Sequence, residues 1–271
     1  MNPVRLLQCG HEKSGTYLLF RILSQILSQN NLYRSFVASS GIGRIIDSHF
    51  SENKRFPEVN QLDYIRKQDG QWGLNFPSPA CRHIPVDLDL VLETGTLIYT
   101  HEPTTLLEPI RQRFTHRIYL LRDGRDVVNS LIHFLTNDIS LKLCPEYTIR
   151  NPAALYRDLS YFRRLVCRWE EHVRSFTVSS SDYMLVKFEE ILEDRTTVIT
   201  ALCKHLGLDA DLSEIAEHTS LASMKNTAPK HVRKGRIGDW NHYFSARHKK
   251  IFKEVAGDLL IAFRYEDDYD W

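Results

Sequence analysis

The segment that most restricts this chain is its opening one. Residues 4–9 (VRLLQC) form a short apolar run that stops at Gly10, and beyond a loop ending at Gly15 the sequence sets Leu18, Leu19, Ile22, Leu23, Ile26 and Leu27 at helical spacing. Strand, glycine-bounded loop and helix, in that order, is the unit from which open α/β sheets are assembled. The alternation recurs. Residues 97–100 (LIYT) and 117–121 (RIYLL) read as buried strands, the second followed at once by a helix over 126–135. Pro152 opens a long amphipathic helix to about residue 176, with Leu155, Leu159, Phe162, Leu165, Val166 and Trp169 on its apolar side. Residues 182–188 then read as a strand and 189–206 as a helix ended by Gly207. The expected fold is α/β, a single domain over 1–271 with a central, mainly parallel sheet flanked by helices on both faces. Residues 31–93 carry no clear period and predict short helices and loops over the strand ends, where open α/β sheets bind ligands.

Charge excludes one class of partner. Lys and Arg number 35 against 34 Asp and Glu, so no nucleic acid or other long polyanion is expected, and any phosphate site must be built locally. The first twenty residues are interrupted by charge too early for a secretory signal, and no apolar run approaches a membrane span, which predicts a cytoplasmic protein with no integral membrane segment. Five cysteines (Cys9, Cys81, Cys144, Cys167, Cys203) without a CxxC pair read as reduced thiols. Among the histidines no HExxH occurs, because His101 and Glu102 are followed by Pro103, Thr104 and Thr105; no metal site is expected.

Three stretches carry chemistry. GHEKSGT (residues 10–16) lies at a strand-to-helix junction, where unpaired amides and the helix dipole favour an anion. It departs from the nucleotide P-loop GxxxxGK[ST]: Lys13 stands two residues before Gly15, and Thr16 and Tyr17 occupy the places of the lysine and its metal-binding hydroxyl. Such a lysine can reach a phosphate and the bridging oxygen of a leaving group, and a sulfuryl group, less charged than a phosphoryl, can be transferred without the metal a kinase needs. A solvated helix cap would use Lys13, Ser14 and Thr16 equally well. In the second stretch, LLRDGRDVVNSLIHF, Arg122 ends a strand and Ser130 follows eight residues later in the helix, a guanidinium fork and a hydroxyl suited to a phosphate; an ion pair of Arg122 with Asp123 or Asp126 is the competing use. In the third, HVRKGRIGDW, Arg233, Lys234 and Arg236 interleave with Gly235 and Gly238, a pattern that turns backbone amides and cations onto an anion or forms a mobile basic loop.

Together and in this order the stretches resemble the sulfotransferase superfamily that uses 3′-phosphoadenosine 5′-phosphosulfate (PAPS) as donor and releases 3′,5′-adenosine bisphosphate (PAP). The resemblance implies that Lys13, Ser14, Gly15, Thr16 and Tyr17 form a P-loop-like phosphosulfate-binding loop. It implies that Arg122 and Ser130 take the 3′-phosphate, and that Arg233, Lys234 and Gly235 belong to the C-terminal cofactor loop RKGxxGDW. FEE at residues 188–190 resembles the family's YED, and TSLASMK at 219–225 its adenine segment, which brings in Phe188, Thr219 and Leu221. YTHEP at residues 99–103 resembles KTHLP, whose histidine is the general base; His101 would take the proton of an acceptor hydroxyl as its oxygen attacks sulfur, with Lys13 on the leaving group.

There are departures. Leu18 stands for a tryptophan, Phe188 for a tyrosine, Leu221 for an aromatic residue and Tyr99 for the lysine of KTHLP. Residues 31–96 are the expected acceptor cover, where Phe36, Phe50, Tyr64, Trp72 and Phe76 would line an apolar pocket or serve as core. The implied reaction is sulfuryl transfer to a hydroxyl, or to an amine, of a small molecule, glycan or lipid, with no metal required. A metal-dependent P-loop kinase and a non-catalytic nucleotide-binding protein are the alternatives, the first separable by Mg²⁺ dependence. The dimer signature KxxxTVxxxE is absent after GDW, where Asn241, Ser245, Ala246 and Lys250 hold its positions. Lys250 reverses a charge beside Arg247, His248 and Lys249, so a symmetric contact there would oppose like charges, and a monomer or a dimer through another surface is expected. With Ser245→Cys and Ala246→Cys in place, crosslinking should trap no dimer through this surface; efficient trapping would contradict the expectation.

Overall fold

The computed structural model describes residues 4–42, 63–75, 83–136, 151–227 and 235–271. In chain order its elements are β1 (Leu6–Gly10), α1 (Thr16–Gln29), α2 (Phe36–Ser39), β2 (Ile65–Gln68), β3 (Gln71–Asn75), β4 (His83–Pro85), α3 (Leu88–Thr94), β5 (Leu97–Thr100) and β6 (His116–Leu121). There follow α4 (Gly124–Leu135), α5 (Pro152–Arg157), α6 (Leu159–Ser179), β7 (Met184–Lys187), α7 (Phe188–Glu193), α8 (Arg195–Leu206), α9 (Leu212–His218), α10 (Leu221–Thr227) and α11 (Ala246–Ala262). Four strands make the parallel central sheet in the order β5-β1-β6-β7. β1 is inside it, and its residues Leu6 to Gly10 are buried along their whole length.

Alternation along the strands sorts the core into two layers. Leu6, Leu97, Ile118, Leu120 and Val186 pack with α1 and α8, while Leu7, Cys9, Ile98, Tyr119 and Leu121 pack with α4, α6 and α11. A sheet covered on both faces explains why its strands read as continuous apolar runs rather than alternating ones. The α/β expectation holds, and the helices of 15–28 and 126–135 form within two residues of their expected bounds.

Three sequence expectations are corrected. The helix from Pro152 is two helices, because Asp158 leaves the helical conformation (ψ 86) and accepts the amide of Tyr161 at 2.9 Å, capping α6. The helix over 189–206 is divided in the same way at Asp194, which accepts the amide of Thr197 at 3.0 Å. Residues 65–85, read as short helices and loops, contain an antiparallel three-stranded sheet, β2-β3-β4. Asp69 and Gly70, at φ 49 and 81, form the two-residue turn between β2 and β3 that Asp-Gly favours. That small sheet meets the large one where Tyr64 bridges to Tyr99 and the amide of Tyr99 donates to the carbonyl of Asp63 at 3.1 Å.

Close approach fixes one glycine at the start of α4. A Cβ on Gly124 would lie 2.5 Å from the indole of Trp169, which is fully buried in α6. Gly124→Ala should therefore lower stability by about 1–3 kcal/mol, as overpacking does. Urea unfolding should show a reduced midpoint with an unchanged m-value.

Candidate active site

The site is built outward from the end of β1. A Cβ on Gly10 would come within 2.7 Å of the Leu120 carbonyl oxygen, so the strand can leave the sheet beside β6 only with glycine there. The loop then turns through two left-handed residues, Lys13 at φ 67 and Gly15 at φ 93. Gly15 is required twice over, since a Cβ would also fall 2.2 Å from the Phe188 ring. No side chain caps α1 at Gly15, so the first amides of the helix and the positive end of its dipole are offered to an anion. From below, the Gln8 amide donates to the Thr16 carbonyl at 2.7 Å and holds the first turn in place. Ser14 and Tyr17 are buried, and the Lys13 ammonium lies 4.3 Å from the centre of the Phe134 ring.

Arg122, at the end of β6, ties this loop to the C-terminal part of the chain. Its guanidinium donates to the Lys13 carbonyl and to the Arg236 carbonyl, each at 3.1 Å, and lies 4.3 Å from the centre of the Phe188 ring. Asp126 stands 3.7 Å away and itself accepts the amides of Gly238 at 2.7 Å and Trp240 at 3.1 Å. Asp123 pairs instead with Arg125 at 2.7 Å. Ser130 is half-buried on α4.

His101 follows β5, the neighbour of β1. Its Nδ1 lies 2.6 Å from the Gly10 carbonyl oxygen, which can only accept, so Nδ1 carries the hydrogen and Nε2 keeps its lone pair. The Tyr99 hydroxyl donates to that Nε2 at 2.5 Å and stands 3.3 Å from the Thr16 hydroxyl, linking the histidine to the phosphate-type loop. Burial, opposed by the charge of Glu12, holds His101 below the ordinary imidazole pKa of 6.5. A neutral imidazole with a defined tautomer is what a general base needs.

Beside His101 opens a cavity of about 180 Å³, whose wall includes His11, Glu12, Tyr64, Arg66, Arg168 and His172. Burial lowers the pKa of His11 to about 4 and that of His172 well below the usual value. Tyr64 reaches this wall, whereas Phe36 is core and Trp72 is half-buried against the core, the second of the two uses open to these aromatics, and the described residues of the wall are mostly polar. Phe50 and Phe76 lie outside the described residues, as do Arg233 and Lys234.

The structure thus brings together Lys13, Gly15, Thr16, Arg122, Phe188 and His101. Gly235 (φ 59) packs on Leu221, whose side chain would be 3.0 Å from a Cβ there. Thr219 is fully buried and its hydroxyl donates to the Ile215 carbonyl at 2.7 Å. The residues that sequence reading missed are His11, Arg66, Arg168 and His172. Only His172 left a signal, standing three residues beyond Trp169 on the inward stripe of its helix.

With this geometry stands a family match. The model for the sulfotransferase domain covers residues 3–264, and the chain belongs to that family. Among curated proteins it is similar to mouse sulfotransferase 2A1, 26% identical over 198 residues, covering 63% of this chain and 66% of that protein. It is also similar to a guinea-pig 3-beta-hydroxysteroid sulfotransferase, 23% identical over 169 residues, covering 54% and 56% respectively. The chain therefore aligns with somewhat less than two thirds of the length of these relatives. Among solved structures it resembles mouse sulfotransferase SULT7A1 complexed with PAP, with TM-score 0.61 and 19% identity over 96% of this chain and 86% of that one. Retinol dehydratase in a complex with retinol and PAP gives TM-score 0.56 and 18% identity, covering 96% and 82%. At these identities the two structures establish the shared fold.

The Tyr99 hydroxyl binds the unprotonated face of His101, and a hydrogen bond to the neutral form lowers a histidine's pKa. Tyr99→Phe should therefore move the His101 pKa upward, toward the ordinary value, in an NMR titration of the imidazole resonances. An unchanged or lower pKa would contradict the tautomer assigned here.

Proposed function

We propose that this chain is a PAPS-dependent sulfotransferase that moves a sulfuryl group to an acceptor hydroxyl by in-line displacement. The observation that carries the reading is the His101 imidazole anchored on the carbonyl of Gly10, at the root of the loop that holds Lys13. A base and an anion loop separated by one strand spacing suit a reaction in which a proton leaves the acceptor as negative charge gathers on a phosphate. The curated relatives' names support the same chemistry.

The residues present fit the donor. Gly15 lets the loop close against the Phe188 ring where a Cβ would collide, the α1 amides are not capped by a side chain, and Arg122 brings a cation to the end of β6. Bound, the donor supplies an activated sulfuryl group on a good leaving phosphate. Lys13 and the amides of Thr16 and Tyr17 would hold its 5′ side; Arg122, Ser130, Arg233, Lys234 and Gly235 would hold its 3′-phosphate. Leu221 and Phe188 would flank the base, with Thr219 supporting that segment from beneath. His101 Nε2, after parting from Tyr99, would accept the acceptor's proton as the acceptor oxygen bonds to sulfur and the bond from sulfur to the bridging phosphate oxygen breaks. Lys13 would stabilise the charge left on that oxygen. No helix among the described residues is long and apolar enough to cross a membrane, and a cytoplasmic location is part of the proposal.

Calorimetry should show PAP binding much more tightly than adenosine 5′-phosphate; equal affinities would refute the reading. Arg122→Ala should weaken PAP by roughly 1.5–3 kcal/mol, the worth of a hydrogen bond to a charged group. His101→Ala should lose about 10²- to 10⁴-fold in turnover of PAPS with donor affinity retained. Because burial lowers the His101 pKa, its catalytic form persists as pH falls through 6.5, and the acid limb of kcat/KM should lie below that value.

A further inference from the structure

Resting on the sulfotransferase reading, we propose that the acceptor is a small polyhydroxylated molecule of carbohydrate or polyol type, hydrogen-bonded by His11 and Glu171 in the cavity beside His101. Among the described residues, only Pro103 of the cavity wall lacks a polar side chain. The wall contains two ion pairs, Arg66 with Glu102 at 3.5 Å and Arg168 with Glu12 at 3.4 Å. An apolar acceptor laid over them would strip water from four charged groups and return no hydrogen bond, an unfavourable exchange.

One imidazole in this wall, that of His11, offers the cavity a nitrogen without a hydrogen bond. The Nδ1 of His172 shares one with the Tyr119 hydroxyl at 2.8 Å, and its Nε2 is sealed from the cavity, the ring lying against the backbone of His101 and Glu102. The Nδ1 of His11 lies 2.8 Å from the Glu12 carbonyl oxygen, so it carries the hydrogen and its Nε2 is an acceptor. The two rings meet edge to face with centroids 5.4 Å apart and therefore belong to one wall. Burial keeps both neutral, as hydrogen-bonding groups and not as cations that would select an anion. Glu171, on the helix that bears His172, adds an exposed carboxylate acceptor to the lining, and Arg66 and Arg168 add donors. Hydroxyl groups both donate and accept, and a molecule carrying several can answer such a wall. A site built to hydrogen-bond its substrate also discriminates strongly against analogues without the hydroxyls.

The test uses the full chain loaded with PAP, after calorimetry has established that PAP binds. Saturation-transfer NMR is then recorded with cellobiose and myo-inositol as one arm and with 2-naphthol and a 3β-hydroxysteroid as the other. The expected result is that at least one polyol binds more tightly than both apolar alcohols. His11→Phe should weaken that polyol at least tenfold with PAP affinity within twofold of the parent, and His11→Gln should restore part of the loss. Glu171→Ala, on an exposed helix face that does not risk the fold, should weaken it at least threefold. Tighter binding by the apolar arm, no binding by either polyol, or polyol affinity unmoved in the folded variants would overturn the inference while leaving the donor assignment intact. Failure of the parent chain to bind PAP would instead remove the sulfotransferase reading, and this inference with it.

Discussion

A single nearly buried charge pair organises the region where the anion loop, the end of β6 and the C-terminal segment meet. Arg122 and Asp126 are 3.7 Å apart, and neither is left to the other alone. Two carbonyls, from Lys13 and Arg236, take hydrogens from the guanidinium, and two amides, from Gly238 and Trp240, give theirs to the carboxylate. Burying ions is expensive unless their remaining donors and acceptors are met, so the pair recruits backbone from segments more than a hundred residues apart in the chain. The left-handed Lys13 is one of those recruits. Its carbonyl points at Arg122 only because the loop has turned through φ 67.

The two arginines of RDGRD meet different fates for the same electrostatic reason. Arg125 is 3% exposed in its side chain and pairs with Asp123 and Glu266, its guanidinium 4.2 Å from the ring centre of Trp240 and 4.5 Å from that of Trp271. It docks the C-terminus and leaves nothing for a ligand. Arg122 is bonded instead to neutral carbonyls and stands beside one more distant carboxylate. Three residues of sequence separation place the first at the strand end, facing the loop, and the second in the first turn of α4, facing the tail.

Parallel pairing does the comparable work for His101. Gln8 is in register with Tyr99 and Cys9 with Thr100, so the residue after β5 arrives beside Gly10, where the carbonyl fixes the tautomer of His101. Tyr99, in place of the lysine of the resembled motif, joins that histidine to Thr16. A hydroxyl bridge thereby stands where that motif has a cation, and His101 and the loop form one hydrogen-bonded unit.

Local chemistry in the sequence determined the strand, loop and helix units and the glycine-bounded loop with Lys13, by short-range rules: apolar period, the steric freedom of glycine, and the donors a phosphate requires. Arg122 and His101 stood out only through the resemblance of the stretches that carry them. The capping aspartates Asp158 and Asp194 and the Asp69-Gly70 turn were also written locally, and were passed over in favour of longer periods. Tertiary structure alone decided the rest. That Arg122 faces Lys13 across 109 positions follows from strand order, and strand order is a property of the packed sheet. His11 and His172 share one wall although 161 positions separate them, because α6 crosses the face of the sheet where β1 ends. No period or spacing records such a meeting: the character of the cavity beside His101 arises from side chains that become neighbours only when both faces of the sheet are covered.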